Sequence, residues 1–429
     1  IFDCLVGSEM CIRDRVNVIS FIYLNGGIMN FKKLSSFLTI AILSLVGFKT
    51  YAAEVHGVFC GGELRPNYVE IADKYMEDNP GVTVTLEAVP WGTCQDKVIN
   101  LAIAGDPVAF SYVGSRTLKG LAENGHILET NIPASQKAMY QPGILNTVTH
   151  MGKTWGFPHA FSTKALFMNC GLLEKAGVAC EGPQTWDELY SMAEAVTKNV
   201  DGAAGIGLAG KDFDNTMHQF LNYLYSNGGQ VIDPMTNEIT LNSSNTVETL
   251  EFYGKLANVA QEGPLAWERS QLTELFNDEK IAMYINGPWG RGQHKEGLDV
   301  KTVRIPAGPQ GNQGTLLITD SVAVFSNTGV EKEAMELASI ITSGDSQYSL
   351  DTDWGLTPIM QYPQIGNEAP YNEDYWMMFI DAIGDGGPEP LFVDYKAFQT
   401  VMNSMIQGAI LGEGAVSYTH LRAHETVED

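Results

Sequence analysis

From about residue 54 onward, short apolar runs bounded by turns alternate with longer segments of helical periodicity, and this alternation constrains the fold most. The apolar runs are Val55–Phe59, Val82–Leu86, Val108–Tyr112, Ala165–Met168, Ile281–Ile285 and Leu316–Phe325. Between them lie helical patterns such as Pro66–Met76, Cys94–Ala104, Thr185–Thr197, Ser244–Gln261 and Lys332–Thr342. Such a sequence is expected to build α/β layers. A mature length of about 360 residues exceeds what one core usually holds, so two α/β lobes are expected.

The ends of the chain read differently. Lys32 and Lys33 precede an apolar run, Phe37–Phe48, and Tyr51-Ala52-Ala53 offers small residues for cleavage, so 29–53 is expected to be a secretory signal peptide. The run is too short to span a bilayer, and Cys60 lacks the small residues of a lipidation motif before it. A free periplasmic protein is the expectation. Residues 1–28 and 415–429 resemble translated sequencing-adapter read-through; the native chain is expected to start at Met29 and to be cut short near Glu413.

Charge narrows the partners. Setting aside residues 1–53 (three acids, five bases) and 415–429 (three acids, one base) leaves 45 acids against 20 bases, a net charge of -25. Such a surface repels polyphosphates and anionic lipids, so no nucleic-acid or membrane-surface partner is expected. Solubility alone also accounts for it.

Outside the flanking stretches stand four cysteines, Cys60, Cys94, Cys170 and Cys180. An even count in an oxidising compartment suggests two disulfides. Cys170 and Cys180 are close in sequence, and parallel pairing of the first two strands would bring Cys60 to Cys94. These are the favoured pairings, with free buried thiols as the alternative. No C-x-x-C spacing and no histidine within helical reach of a cysteine pair argue for a metal, and no cofactor is expected.

Several motifs mislead. Gly205–Gly210 (GIGLAG) fits G-x-G-x-x-G, but no helix pattern follows it where a pyrophosphate would need an N-terminus. It reads as a Gly-rich strand. There is no nucleophile elbow, P-loop or H-E-x-x-H, so no catalytic residue is named and an enzyme is not expected.

Five segments carry a resemblance to a known family: Thr273–Gly290 (TELFNDEKIAMYINGPWG), Asp78–Val84 (DNPGVTV), Gly152–Leu166 (GKTWGFPHAFSTKAL), Pro183–Tyr190 (PQTWDELY) and Trp354–Met360 (WGLTPIM). Together they resemble the extracellular solute-binding proteins of family 1, the maltose-binding-protein-like receptors of ABC-type sugar importers. In PQTWDELY, Thr185 is a natural N-cap and Glu188 completes a capping box. The first Gly of the family's G-x-A-M-x-x-x-G-P-W pattern is replaced by Glu279-Lys280. The resemblance covers roughly 54–413 and implies a type-two periplasmic binding protein fold, with two lobes joined by three hinge crossings. Lobe one would be 54–160 plus 316–356, and lobe two 163–314 plus 357–413.

The resemblance also implies a ligand and partners: a small-molecule carbohydrate held in an interlobe cleft, ABC permease subunits in the inner membrane, and a monomeric receptor. A carbohydrate needs aromatic platforms and planar polar groups. Carried over position by position, the candidates are Trp289, Ser115, Arg116, Glu63, Trp91, Phe161, Ser162, His218, Asn222, Trp267, Arg291, Asp320 and Trp354. Trp289 leads, because an indole face stacks on a pyranose; a lone Trp is otherwise more often core. Arg116 stands where the family usually presents an acid or polar group, which leaves room for an acidic sugar or a phosphorylated polyol. Asp320 interrupts an apolar strand, where an unpaired carboxylate would be costly. Trp186 and Trp376 are expected to pack in cores. The alternatives are a glycerol-phosphate or other polyol or anion receptor of the same fold, favoured by Arg116 and Arg291, and more distantly a secreted carbohydrate-active enzyme.

Overall fold

The computed structural model describes residues 53–413 apart from 234, 235 and 237, so the expected signal segment and both adapter-like stretches lie outside the described residues, Ala53 excepted. Among the described residues no helix is long and apolar enough to cross a membrane.

Strand β1 (Ala53–Cys60) buries Val55, Val58, Phe59 and Cys60. It runs parallel to β2 (Val82–Val89), from Ala53 opposite Val82 to Cys60 opposite Val89, and parallel to β3 (Phe110–Gly114). The crossovers are α1 (Pro66–Asp78) and α2 (Trp91–Ala104). Pro66 opens α1 where its missing N–H costs nothing, and Pro90 caps α2, which is why that helix starts ahead of Cys94. Parallel pairing brings Cys60 to Cys94 with their Cα atoms 5.4 Å apart, disulfide-bonded, and Cys170 is bonded to Cys180.

The chain continues through β4 (Phe157–Ser162) into β5 (Ala165–Asn169) and three long helices, α3 (Trp186–Asn199), α4 (Asp214–Ser226) and α5 (Ser244–Leu256). Thr185 caps α3 by accepting from the Glu188 N–H, while the Glu188 carboxylate accepts from the Gln184 N–H rather than from that of Thr185. Trp186 is buried and stacks on Phe252 with centroids 4.2 Å apart. Gly205 is a bend between two isolated bridges, Ala204 with Ile281 and Ile206 with Ala260, rather than part of the expected strand, and a Cβ there would meet the Ala193 carbonyl oxygen at 2.0 Å; α4 begins only at Asp214, so GIGLAG opens no helix.

After α6 (Arg269–Asn277), strands β6 (Met283–Asn286) and β7 (Val300–Val303) pair antiparallel on either side of β5. Strand β8 (Thr315–Val324) then returns to the first sheet, antiparallel to β3 and β4. Its register with β4 slips between Asp320 and Ser321, which face Ala160 and Pro158, so His159 is the extra residue of a bulge. Helices α7 (Glu331–Ile341), α8 (Gly344–Trp354) and α9 (Asp374–Asp381) follow, then β9 (Gly386–Pro388), parallel to the start of β8, and α10 (Tyr395–Ile410).

Apolar side chains sort into two main bodies. The first gathers Val58, Phe110, Val322, Phe325 and Leu337. The second contains Leu166, Met168, Leu189, Phe220, Tyr253 and Ile406, and on the opposite face of β5 the alternate residues Ala165 and Phe167 pack with Phe276, Tyr284 and Phe379. Core membership departs from the expected division at two places. Leu316 and Ile318 join the second body, because β8 itself passes from one to the other. Ile359, Met360, Tyr362, Tyr371 and Trp376 join the first, so the third passage falls along α9, where Trp376 faces one body and Phe379 the other, rather than after Trp354.

Candidate functional site

Where β8 passes between the bodies, its polar residues meet a buried ion cluster. Arg116 lies two residues past the end of β3. It is almost fully buried, and a Cβ on Gly114 would lie 2.4 Å from its guanidinium carbon, so glycine there makes room for the fold-back. Its guanidinium donates to Asp214 at 2.8 Å, Asp320 at 3.2 Å and Glu389 at 3.4 Å. Asp214 opens α4 and Glu389 follows β9, so three separate segments converge on one cation. Burial alone would weaken the charge of Arg116, but Glu389, Asp214 and Asp320 outweigh it and hold its pKa above the ordinary arginine value.

One arginine does not satisfy three carboxylates equally, with Asp214 and Glu389 buried and Asp320 partly so. Burial alone would raise Glu389, yet Arg116 and His218 hold it at about 2. Its other oxygen accepts from Tyr395 Oη at 3.1 Å and pairs with His218 Nε2. Asp320 goes the other way: burial raises its pKa despite Arg116, and Tyr112 Oη donates to it at 2.9 Å. The Asp214 Oδ1 atom is buried and has no hydrogen-bond partner among the described residues.

Aromatic rings border this cluster. Tyr112, midway along β3, has its ring 5.7 Å from Trp91 and 5.4 Å from Trp354, centroid to centroid. The Arg116 guanidinium lies 5.6 Å from the Trp91 ring. Trp289, after β6, is half-buried and packs against the first body although its own strand belongs to the second. Lys164 Nζ sits 4.4 Å from its ring centroid and the Arg269 guanidinium 5.4 Å.

Lys164 occupies the passage from β4 to β5 and is 6% exposed. Its ammonium donates to Ser162 Oγ at 2.6 Å. Burial, reinforced by Arg269 and opposed by Asp320 and Glu389, lowers it to about 7. The backbone around it is tied across the passages: Lys164 N–H donates to Thr315 Oγ1 at 2.9 Å, and Thr163 N–H to Thr357 Oγ1 at 3.2 Å.

Of the residues expected from the sequence, Trp91, Ser115, Arg116, Ser162, Asp320, Trp289 and Trp354 come together here, with Ser115 Oγ 2.7 Å from Ser321 Oγ. Others are placed elsewhere. Phe161 is 1% exposed and belongs to the first apolar core. Asn222 spends its amide on protein: Oδ1 accepts from the Leu316 N–H at 2.9 Å and from Thr315, and Nδ2 donates to the His218 carbonyl. His218 is buried, and its Nε2 pairs with Glu389, one of the carboxylates on Arg116. Trp267 packs against the cluster around Phe276 and donates to the Glu262 carbonyl. Arg291 is exposed and pairs with Glu373, and Glu63 is exposed and pairs with Arg65, whose guanidinium approaches Trp354 at 5.0 Å.

Sequence reasoning missed Lys164, Asp214, Arg269, Glu389, Tyr112 and Tyr395. Lys164 did leave a signal, a lone cation between the apolar runs FPHAFST and ALFMN. Asp214 and Glu389 left none, since an acid opening a helix and one between prolines are common surface arrangements. Among the described residues no group of three His, Cys, Asp or Glu could hold a metal ion.

Comparison with known proteins gives consistent matches. The family model for bacterial extracellular solute-binding proteins matches residues 61–348. A binding protein of Brucella abortus is 26% identical over 367 residues, covering 81% of this chain and 86% of that protein. The maltodextrin-binding protein of Bacillus subtilis is 26% identical, over 57% of this chain and 55% of that one. Among solved structures, an ABC transporter solute-binding protein from Thermotoga lettingae bound with α-D-tagatose superposes with a TM-score of 0.77 at 20% identity, covering 87% of this chain and 98% of that one.

Proposed function

The chain belongs to the bacterial extracellular solute-binding protein family, and on that premise we propose that it captures a saccharide between its two lobes and delivers it to an ABC permease. It has the two-lobe fold of the periplasmic binding proteins. The observation that carries the reading is the meeting of Trp91, Tyr112, Trp354 and Trp289 with a buried polar cluster at the junction of the cores. Aromatic faces suit the apolar faces of sugar rings, and fixed carboxylates and amides suit their hydroxyls. The ligands of the B. subtilis and T. lettingae proteins, a maltodextrin and a tagatose by name, support the class.

In this reading the lobes rotate about the passages at Ser162–Ala165, β8 and α9, and closure buries the ligand. The closed form of a periplasmic monomer is what the permease recognises. No bond is made or broken. The polyol-phosphate alternative rested on Arg116 and Arg291; the first is engaged by three carboxylates and the second pairs with Glu373 on the surface.

The test is a thermal-shift screen of the purified protein against saccharides, polyols and their phosphates, run beside an assay for hydrolysis products. A saccharide at a hundredfold excess over Kd should add about 2.7 kcal/mol of stability. Stabilisation only by polyol phosphates, or release of products, would sink the proposal.

A further inference from the structure

Two cations at this junction are left without an acid. Arg116 has three carboxylates, yet neither Lys164 nor Arg269 has a carboxylate oxygen within salt-bridge distance among the described residues. Lys164 has Ser162 Oγ and the Trp289 ring; Arg269, first residue of α6, donates to Asn286 Oδ1 at 3.0 Å and shares that ring. A capping box between Glu268 and Gln271 fixes where α6 starts, and so where Arg269 stands. The Glu268 carboxylate is occupied by the Ser270 N–H and Asn215.

Buried ammonium groups are costly unless paired, and two neighbouring cations raise that cost. The indole ring offsets part of it. A hydroxyl-rich neutral ligand would supply dipoles only, whereas a bound carboxylate would supply the missing opposite charge and accept from both cations at once. The same junction also presents a buried acceptor, Asp214 Oδ1, without a donor. One end of the site therefore asks for a hydroxyl hydrogen and the other for an anion.

Resting on the saccharide reading above, we infer that the ligand is a sugar acid of the uronate type, whose carboxylate is held by Lys164 and Arg269 beside Trp289 and whose hydroxyl donates to Asp214. A single negative charge fits better than the double charge of a phosphate monoester, because Asp320 and Glu389 act on the same ammonium. The lowered pKa of Lys164 adds a second signature: binding of an anion near pH 8 should draw a proton onto it. Arg269, Asp320, Glu389 and Arg116 are the charged groups that act on that proton.

Titration calorimetry on the purified protein tests this with matched probes: galactose and glucose, galacturonate and glucuronate, maltose and digalacturonate, and glucose 1-phosphate. The acidic member is expected to bind at least about tenfold tighter than its neutral counterpart at low salt. Lys164→Met and Arg269→Met should each erase most of that preference, and Lys164→Arg should retain it. The empty Lys164→Met protein should melt no lower than the parent, since a buried cation has been removed, which separates lost recognition from lost folding. With the parent protein, heats measured in two buffers of different ionisation enthalpy near pH 8 should show proton uptake for the acidic probe alone. Equal affinity for neutral and acidic saccharides, or a preference that survives both methionine variants, overturns the charge assignment and leaves the saccharide reading standing. Tighter binding of glucose 1-phosphate overturns the choice of a monoanion. A panel in which no saccharide of either charge binds overturns both.

Discussion

Replacing Arg116 with methionine should destabilise the protein by about 3 kcal/mol at pH 7, and by much less in acid. The magnitude follows from Glu389, which burial would raise but which Arg116 and His218 hold at about 2 against an ordinary 4.5. At about 1.4 kcal/mol for each tenfold change in protonation, that depression is worth about 3 kcal/mol, which Arg116 shares with His218, and the pairing of Arg116 with Asp214 adds to its part. Glu389 is 3% exposed, so solvent screening takes little away. Breaking buried pairs by removing one partner generally costs about 3–5 kcal/mol, consistent with this figure. A depressed carboxylate contributes its stability above the unfolded value of about 4.5 and loses it as pH falls through the folded value. The stability gap between parent and Arg116→Met should therefore shrink to about 1 kcal/mol near pH 3. Urea melts of both proteins at the two pH values measure it. A gap below about 1 kcal/mol at pH 7, or one that does not change with pH, would refute the idea that Arg116 neutralises these carboxylates.

Three further outcomes can be checked. Trp289→Ala should weaken saccharide binding by roughly tenfold to a hundredfold while changing apo stability less than the about 3–5 kcal/mol of a core Trp truncation, read by calorimetry and urea melt on the same variant. Peptide mapping without reductant should recover Cys60 linked to Cys94 and Cys170 linked to Cys180; alkylation of all four thiols would contradict both bonds. Burial raises Asp351 to about 7 although the Ile359 N–H, Tyr362 and Gln347 all donate to it. As a raised acid it contributes stability fully below about 3.8 that is lost as pH climbs to about 7, so apo stability should fall across that window and Asp351→Asn should flatten the fall.

The strand and helix pattern was legible because it rests on local chemistry. β1, β2, β5 and β8 appear within a few residues of their apolar runs, and the edges move where a cap intervenes, as at Pro90 before α2. Asp320 was legible for the same reason, a carboxylate in an apolar run that had to find a partner. The carboxylates that share Arg116 with it were not, since Asp214 and Glu389 lie 106 residues before and 69 after it and nothing local marks either. Asn222 looked like a ligand residue from its type and helix, but its amide ties down the backbone of β8, and no local pattern separates those two uses. Lys164 shows a conflict that could have been read: a cation in an otherwise apolar crossing has either a salt-bridge partner or a task.

The bulge in β4 has a mechanical reading. β8 runs unbroken from one core to the other like a taut line, while β4 carries one spare residue, His159, before it too leaves the first sheet. That residue is anchored rather than loose: its ring lies between Tyr68 Oη at 2.7 Å and Gln347 Oε1 at 2.9 Å, and its carbonyl accepts from the same glutamine. The spare length bends β4 without changing which β8 residues the rest of the strand meets. Removing His159 would restore one-to-one pairing, with Pro158 and Ala160 meeting Ser321 and Asp320 as consecutive residues, so the register of Phe161 and Ser162 on β8 would stand. What the deletion would take away is the local bend and the anchor on Tyr68 and Gln347, so the turn into Ser162 and Lys164 would lose its support on the side of the first core.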